Sequence, residues 1–226
     1  MREIQIWSSP CTSDLLATDG SILAKGAVRQ GIRLPSATGA AVVVVYASPT
    51  TSRLGAPVGD SVVTRHLNSV RADARRAGVE CTVLQLEGLR PADAIVASAK
   101  AEECDLVVVG SHGRGALEQL WLGSVTTRVL ATCSVPVLVH RAGTTSRADT
   151  GDAVKAFRRI LVCTDGSALS ALATRHALAL AQDLDASLHA IYVTPSQGEK
   201  IALERKFVPE KYGLRQGLSS THSQTG

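Results

Sequence analysis

Aromatic residues, paired cysteines, long apolar runs and clusters of like charge are all scarce in this sequence. Only 3% of its 226 residues are aromatic, and Ala, Val and Leu supply most of the apolar content. That composition is typical of an α/β protein with an aliphatic core. The net charge is +4, with acidic and basic residues interleaved, so we expect no nucleic-acid partner.

Cysteine usage and hydropathy exclude two further classes of protein. The five cysteines are scattered without a C-x-x-C spacing, which argues against a secreted disulfide framework and a zinc cluster. The amino terminus lacks the apolar segment of a signal peptide. The longest apolar run, 'AAVVVVYA', is far shorter than the roughly 20 residues that span a bilayer. We therefore expect a cytoplasmic protein with no membrane partner.

Short valine-rich runs alternate along the chain with alanine-rich helical patterns. Apolar strands separated by helices predict a parallel sheet covered on both faces. Right-handed crossovers wind such a sheet into an open, doubly wound, Rossmann-like α/β fold. The predicted strands are 15–18, 41–47, 79–87, 105–110 and 135–141, and the predicted helices lie near 21–37, 60–77, 91–102 and 124–133.

The opening pattern recurs later in the chain. The segment 15–49 aligns without a gap to 161–195, and 12 of the 35 positions are identical. The chain therefore contains an internal repeat. We predict a nucleotide-binding domain over 1–141, a linker over 142–156, a truncated second copy over 157–195 and a partly disordered tail over 196–226.

Glycines recur at fixed spacing after the fourth predicted strand. The pattern is Gly110-x₂-Gly113-x₉-Gly123-Ser124, and Ser124 is placed to cap the following helix. Free backbone N–H groups and the positive end of a helix dipole together form an anion site. A phosphate group is the expected occupant, with a simple tight turn as the alternative.

Asp19 follows the first predicted strand, in 'LLATDGS'. Ligands of doubly wound sheets settle where the winding reverses, beside the first strand. Asp19 and Gly110 should then flank one crevice, where a carboxylate accepts hydrogen bonds from ribose hydroxyls or a base amino group. The alternative is that Asp19 caps the following helix.

The motifs 'ATDGS', 'VVVGSHGRG' and 'LGSVTTRVLATCSVPVLV' resemble the universal stress protein family, in its ATP-binding branch. The resemblance covers about 15–140 as one whole domain and 157–195 as half of another. It implies a five-stranded parallel sheet in order 3-2-1-4-5, ATP as the cofactor, alone or with Mg²⁺ or Mn²⁺, and a homodimer formed through the 135–141 strand. The site residues that it implies are Ala17, Thr18, Asp19, Ala47, Gly110, Gly113, Arg114, Gly123, Ser124 and Val125.

Two departures from the family pattern stand out. The first strand carries Asp14, and the preceding 'WSSPC' differs from the usual opening of a basic residue and several aliphatics. The second copy lacks the glycine-rich half, so Thr164 and Asp165 cannot form a complete pocket alone, and we expect Asp165 to be structural.

Most other polar residues have a structural interpretation. His112 favours a solvent-facing loop position, Arg114 fits phosphate contact and solvent equally well, and the spacing of Leu117, Leu120 and Trp121 favours a buried turn. Ser111 lacks the G-x-S-x-G context of a nucleophile. The remaining histidines, His66 among them, show no metal-ligand spacing.

We expect a nucleotide-dependent stress-response protein rather than an enzyme. The glycine loop lacks the Gly-Lys-Ser/Thr ending of a Walker motif, so hydrolysis of ATP should be slow at most. The alternatives are an interaction scaffold without a nucleotide, a relative that prefers AMP or cyclic AMP, and a true enzyme of the adenine-nucleotide α-hydrolase-like group.

Overall fold

The computed structural model describes residues 12–21, 24–48, 60–111, 122–141, 157–193, 202–210 and 213–218. The chain divides into two compact units, whose described residues run from 12 to 141 and from 157 to 218.

The described residues of the first unit alternate five strands with four helices, as the sequence predicts. The strands are β1 (Ser13–Thr18), β2 (Ala41–Ser48), β3 (Cys81–Glu87), β4 (Leu106–Gly110) and β5 (Val137–His140). The helices are α1 (Ala24–Thr38), α2 (Asp60–Arg76), α3 (Pro91–Ala101) and α4 (Ser124–Thr132). All strand pairs are parallel, in the order β3-β2-β1-β4-β5. The predicted doubly wound fold and its strand order are confirmed.

The alternation of side chains along the central strands divides the core into two faces. Leu15 and Val107 are fully buried in a cluster that includes Ile95 of α3 and Val129 of α4. α1 packs on β1 and contacts α2, which packs on β3. Helices therefore cover both faces, and the three inner strands, β2, β1 and β4, are the most deeply buried.

β1 begins shortly after the atypical 'SPC' opening and is fixed there by an aspartate that precedes β4. The Asp105 carboxylate accepts hydrogen bonds from the amide of Thr12 at 2.7 Å and from its hydroxyl at 2.9 Å. The Asp105 amide donates to the Ser13 carbonyl at 2.8 Å. Asp14 lies on β1 between Val42 and Leu106 and is fully buried.

The second unit repeats the first strand–helix–strand unit of the chain. It contains β6 (Arg159–Thr164), α5 (Ala168–Asp183) and β7 (Ser187–Val193). β6 pairs with β7 in parallel from Arg159↔Ser187, the positions that correspond in the repeat to Ser13↔Ala41 of β1 and β2. The internal repeat is therefore a structural repeat with the same register.

The second sheet continues differently from the first. β8 (Ala202–Glu210) pairs antiparallel with β7, and β9 (Gly213–Leu218) pairs antiparallel with β8. The sequence analysis predicts a partly disordered tail over 196–226, because the segment shows no valine strand. These strands form through backbone hydrogen bonds to the edge of β7, and such pairing leaves no apolar pattern in the sequence.

Candidate functional site

The candidate site lies at the carboxyl ends of two inner strands, β1 and β4. β1 and β4 are hydrogen-bonded neighbours, and the strand order turns in opposite directions on either side of them. Open α/β sheets bind ligands at such a switch point. The structure therefore brings the segment after β1 and the segment after β4 to one edge of the sheet, as the sequence predicts.

The turn after β1 is held by its own side chains. The Gly20 amide donates to the Thr18 hydroxyl at 3.2 Å, and the Ser21 amide donates to Oδ1 of Asp19 at 2.9 Å. Gly20 adopts a φ of 74°, which glycine tolerates without strain. Thr18 is buried, whereas Asp19 is partly exposed. The turn therefore presents the Asp19 carboxylate at the mouth of the sheet.

Ser21 contacts the first residue of α1. The Ala24 amide lies 3.2 Å from both the side-chain and the backbone oxygen of Ser21. The Asp19 carboxylate accepts the hydrogen bond from the Ser21 amide, so it helps to form the turn in addition to any role with a ligand.

Hydrogen bonds tie the start of α4 to the end of β4. The Thr126 hydroxyl donates to the Gly110 carbonyl at 2.7 Å, and the Gly123 amide donates to the Ser111 carbonyl at 2.8 Å. The Ser111 amide in turn donates to the His140 carbonyl of β5 at 2.7 Å. The first turn of α4 therefore lies beside the carboxyl end of β4.

The amino-terminal end of α4 offers backbone donors, and no acidic residue competes for them within the described first turn of the helix. Gly123 is the N-cap, so the expectation that Ser124 caps the helix is wrong: Ser124 is the first helical residue. Gly123 has no side chain with which to cap the helix, and the first turn of α4 has no acidic residue. Ser124 is exposed, and Val125 is 37% exposed. The first N–H groups of a helix lack intrahelical partners and favour an anion.

The remaining predicted site residues divide into three groups. Ala17 is buried at the end of β1, and Ala47 is partly buried near the end of β2. Gly110 ends β4. Gly113 and Arg114, like His112, Leu117, Leu120 and Trp121, lie outside the described residues.

One residue of this region was missed by the sequence analysis. His66 of α2 places Nε2 2.9 Å from the Thr18 hydroxyl oxygen. A search for metal-ligand spacing does not find it, because it acts as a single side chain. Its position three residues after buried Val63 and four before buried Val70 was the available signal, since that spacing places it beside the buried face of α2.

The repeated turn of the second unit preserves the local geometry. The Gly166 amide lies 3.3 Å from the Thr164 hydroxyl, and the Ser167 amide donates to Oδ1 of Asp165 at 2.9 Å. Hydrogen bonds from the side chain and the amide of Ser167 lower the pKa of Asp165 to about 2. No strand pairs with β6 on its second edge among the described residues, so no counterpart of β4 and α4 is seen beside this turn.

The described residues contain neither a helix that could cross a membrane nor a cluster of metal ligands. No helix among them is both long and apolar enough to cross a membrane. They also contain no group of three or more His, Cys, Asp or Glu side chains that could hold a metal ion.

Comparison with known proteins gives a consistent result. The model of the universal stress protein family matches residues 15–141 and 156–223. A universal stress protein of Thermus aquaticus is 41% identical over 133 residues, which cover 56% of this chain and 96% of that protein. One of Methanocaldococcus jannaschii is 31% identical over 135 residues, covering 55% and 79% respectively.

A solved structure supports the fold. A universal stress protein from Archaeoglobus fulgidus matches with a TM-score of 0.61 at 24% identity, covering 83% of this chain and 67% of that one. At this level of identity the match bears on the fold alone.

Proposed function

This chain belongs to the universal stress protein family, and on that premise we propose that its first unit binds ATP at the carboxyl ends of β1 and β4. The observation that carries the proposal is the start of α4, which the bond from Thr126 to the Gly110 carbonyl holds beside β4. Uncapped amides at a helix start attract an anion, and the phosphates are the anionic part of a nucleotide. Ser124 and Val125 supply these amides, and Gly123, whose own amide donates to the Ser111 carbonyl, lets the phosphates approach the helix start without a side chain in the way.

The nucleoside part belongs on the β1 side of the same edge. Asp19 is partly exposed there, and its carboxylate accepts hydrogen bonds from ribose hydroxyls. Ala17, Thr18 and Ala47 complete the adenosine side, with Gly110 beside the ribose. Gly113 and Arg114, which lie outside the described residues, join the phosphate side on the strength of the family pattern.

We propose a nucleotide-dependent regulator of the stress response rather than a fast ATPase. The loop lacks the Walker lysine that bridges the terminal phosphates. Backbone amides position a triphosphate but neutralise little of the charge that develops when the terminal phosphate leaves. Mg²⁺ or Mn²⁺ would enter this site together with the phosphates of ATP.

Calorimetric titration with ATP tests this proposal. We expect wild-type protein to bind and Gly123→Val to bind at least about tenfold more weakly, because the added side chain would approach the phosphates. Leu130→Val is the matched control, since Leu130 lies on the same helix, 43% exposed, beyond its first turn. Competition with AMP and cyclic AMP identifies the preferred nucleotide. A wild-type protein that binds none of the three would be an interaction scaffold instead.

We further propose a homodimer formed through the outer edge of β5. β5 is the last strand of its sheet among the described residues, and the Pro136 and His140 carbonyls accept bonds from β4 and the residue after it. Backbone groups alternate in direction along a strand, so the Val139 amide is directed to the open edge. A two-fold dimer would pair two such edges.

Sedimentation analysis tests the dimer. Val139→Pro removes one outward donor without touching the bonds to β4, so we expect monomers. Val139→Thr keeps the donor and should stay dimeric. A wild-type protein that sediments as a monomer at micromolar concentration would contradict the proposal.

A further inference from the structure

Thr18 is the point at which α2 touches the candidate nucleotide site. Its side chain is 6% exposed, at the carboxyl end of β1. Its hydroxyl oxygen accepts a hydrogen bond from the Gly20 amide at 3.2 Å and lies 2.9 Å from Nε2 of His66. The Thr18 hydroxyl therefore joins α2 to the turn that carries Asp19.

The chemistry of a hydroxyl makes the His66 contact informative. A hydroxyl has one proton to donate and two lone pairs, and Gly20 occupies one lone pair. When Nε2 of His66 carries no proton, the Thr18 proton is directed to His66 and the hydroxyl offers the ligand a lone pair. When Nε2 carries a proton, His66 fills that lone pair and the Thr18 proton is directed elsewhere. His66 therefore determines what Thr18 can offer a ligand.

The second unit provides an internal comparison. Thr164 occupies the position of Thr18 in the repeat, but its hydroxyl lies 2.9 Å from the hydroxyl of Ser170 on the adjoining helix α5. The residue of α1 that corresponds to Ser170 is Ala24, which has no polar side chain. In the first unit the partner of the threonine hydroxyl therefore comes from α2, whereas in the second unit it comes from the helix that directly follows the turn.

We propose that His66 is a positioning residue of the nucleotide site, which orients the Thr18 hydroxyl toward the nucleoside part of the ligand. The inference rests on the proposed function and assigns a role to a residue outside the glycine motif. Because His66 acts through Thr18, its effect depends on the presence of that hydroxyl. Because it acts on the nucleoside side, the effect is the same for adenosine, AMP and ATP.

A double-mutant cycle with His66→Leu and Thr18→Val tests both statements by calorimetry with adenosine, AMP and ATP. We expect His66→Leu to weaken all three ligands by the same factor, about 3- to 10-fold, the range for one hydrogen bond. In the Thr18→Val background the further loss should be less than about twofold. Gly123→Val should instead weaken ATP far more than adenosine.

Three controls separate positioning from folding. His66→Gln keeps a hydrogen-bonding group and should restore affinity to within about threefold of wild type. Thr64→Leu changes an exposed residue of the same helix and should leave affinity unchanged. Urea unfolding reports whether each variant is folded, and His66→Ala replaces His66→Leu if the leucine variant is not.

The outcomes distinguish this inference from the function on which it rests. Wild-type protein that binds no adenine nucleotide overturns both. If the wild type binds, three results would overturn only the role of His66. They are an unchanged affinity in His66→Leu, losses that add in the double variant, and losses that grow with the number of phosphates on the ligand.

Discussion

Gly31 of α1 lies against the side chain of Leu16 on β1. A Cβ added at Gly31 would lie 2.6 Å from Cδ1 of Leu16, whose side chain is fully buried. The repeat carries Val162 and Ala177 at the two equivalent positions, and both belong to the core cluster of the second unit. In the second unit the smaller strand residue Val162 leaves room for Ala177 on the helix. In the first unit the larger Leu16 leaves room only for glycine, which explains why α1 contains Gly31 at its centre.

This pairing predicts a compensating double substitution. Gly31→Ala alone should overpack the core, at a cost of about 1–3 kcal/mol, against a gain of about 1 kcal/mol in helix propensity. Leu16→Val makes room, so the double variant should be more stable than the sum of the single effects by about 1 kcal/mol or more. Urea unfolding measures this coupling, and strictly additive losses would show that the two residues do not compete for space.

His140 predicts how the stability of the first unit responds to pH. Burial of the imidazole, assisted by the nearby Arg29 charge, lowers the pKa of His140 below its ordinary value of 6.5. The unfolded chain therefore binds this proton more readily, so His140 contributes stability above about pH 6.5 that is lost as the pH falls through and below that value. Urea unfolding between pH 7.5 and 5 should show a steeper decline for wild type than for His140→Gln. Equal slopes would contradict the assignment, which NMR titration of the imidazole checks independently.

The first turn of α4 combines helix stability and ligand binding in one element. Ser124→Glu places a negative charge next to the positive end of the helix dipole, which should stabilise the helix by about 0.3–1 kcal/mol. The same charge repels phosphate, so ATP affinity should fall. Ser124→Gln introduces a side chain of the same size without charge, so it should change neither the stability of the helix nor the affinity for ATP strongly. Thermal unfolding and calorimetry together measure the two effects, and a Glu variant that binds ATP as wild type does would remove α4 from the site.

The sequence predicts the elements of the first unit to within about three residues, because their apolar periodicity and their core burial agree. α1 runs through Gly31 and Pro35 to Thr38 although both residues disfavour a helix, since packing against β1 outweighs local propensity. Spacing on α2 places His66 beside the buried face of that helix, but its contact with Thr18 was not predictable, because it depends on how α2 packs over the end of β1. β8 and β9 were missed because edge pairing leaves no apolar pattern.

At the scale of the whole molecule, the two copies of one motif differ in how well they are buried. Leu15 of β1 is 0% exposed, whereas Leu161, its equivalent in β6, is 58% exposed. α5 has one buried residue, Ala181, where α1 has seven. The difference follows from the helices: α3 and α4 cover the face of β1 that carries Leu15, whereas no counterpart of either helix is present in the described residues of the second unit.

The difference in side-chain burial between the two units predicts which of them unfolds locally more often. Hydrogen exchange should be fastest in β6, α5 and β7, and slowest in β1, β2 and β4, since the free energy of opening rises with the apolar surface that opening exposes to water. Thiol labelling gives a second measure, because Cys163 is exposed and Cys104 is buried, with burial raising the pKa of the Cys104 thiol. Equal protection of β1 and β6 would contradict this order.

The most direct test of the central claim is NMR observation of backbone amides during titration with ATP and, separately, with adenosine. If α4 receives the phosphates, the Ser124, Val125 and Thr126 amide signals shift with ATP and stay in place with adenosine, whereas the Thr18 and Asp19 signals shift with both. ATP binding that leaves the α4 amides unmoved would contradict the claim.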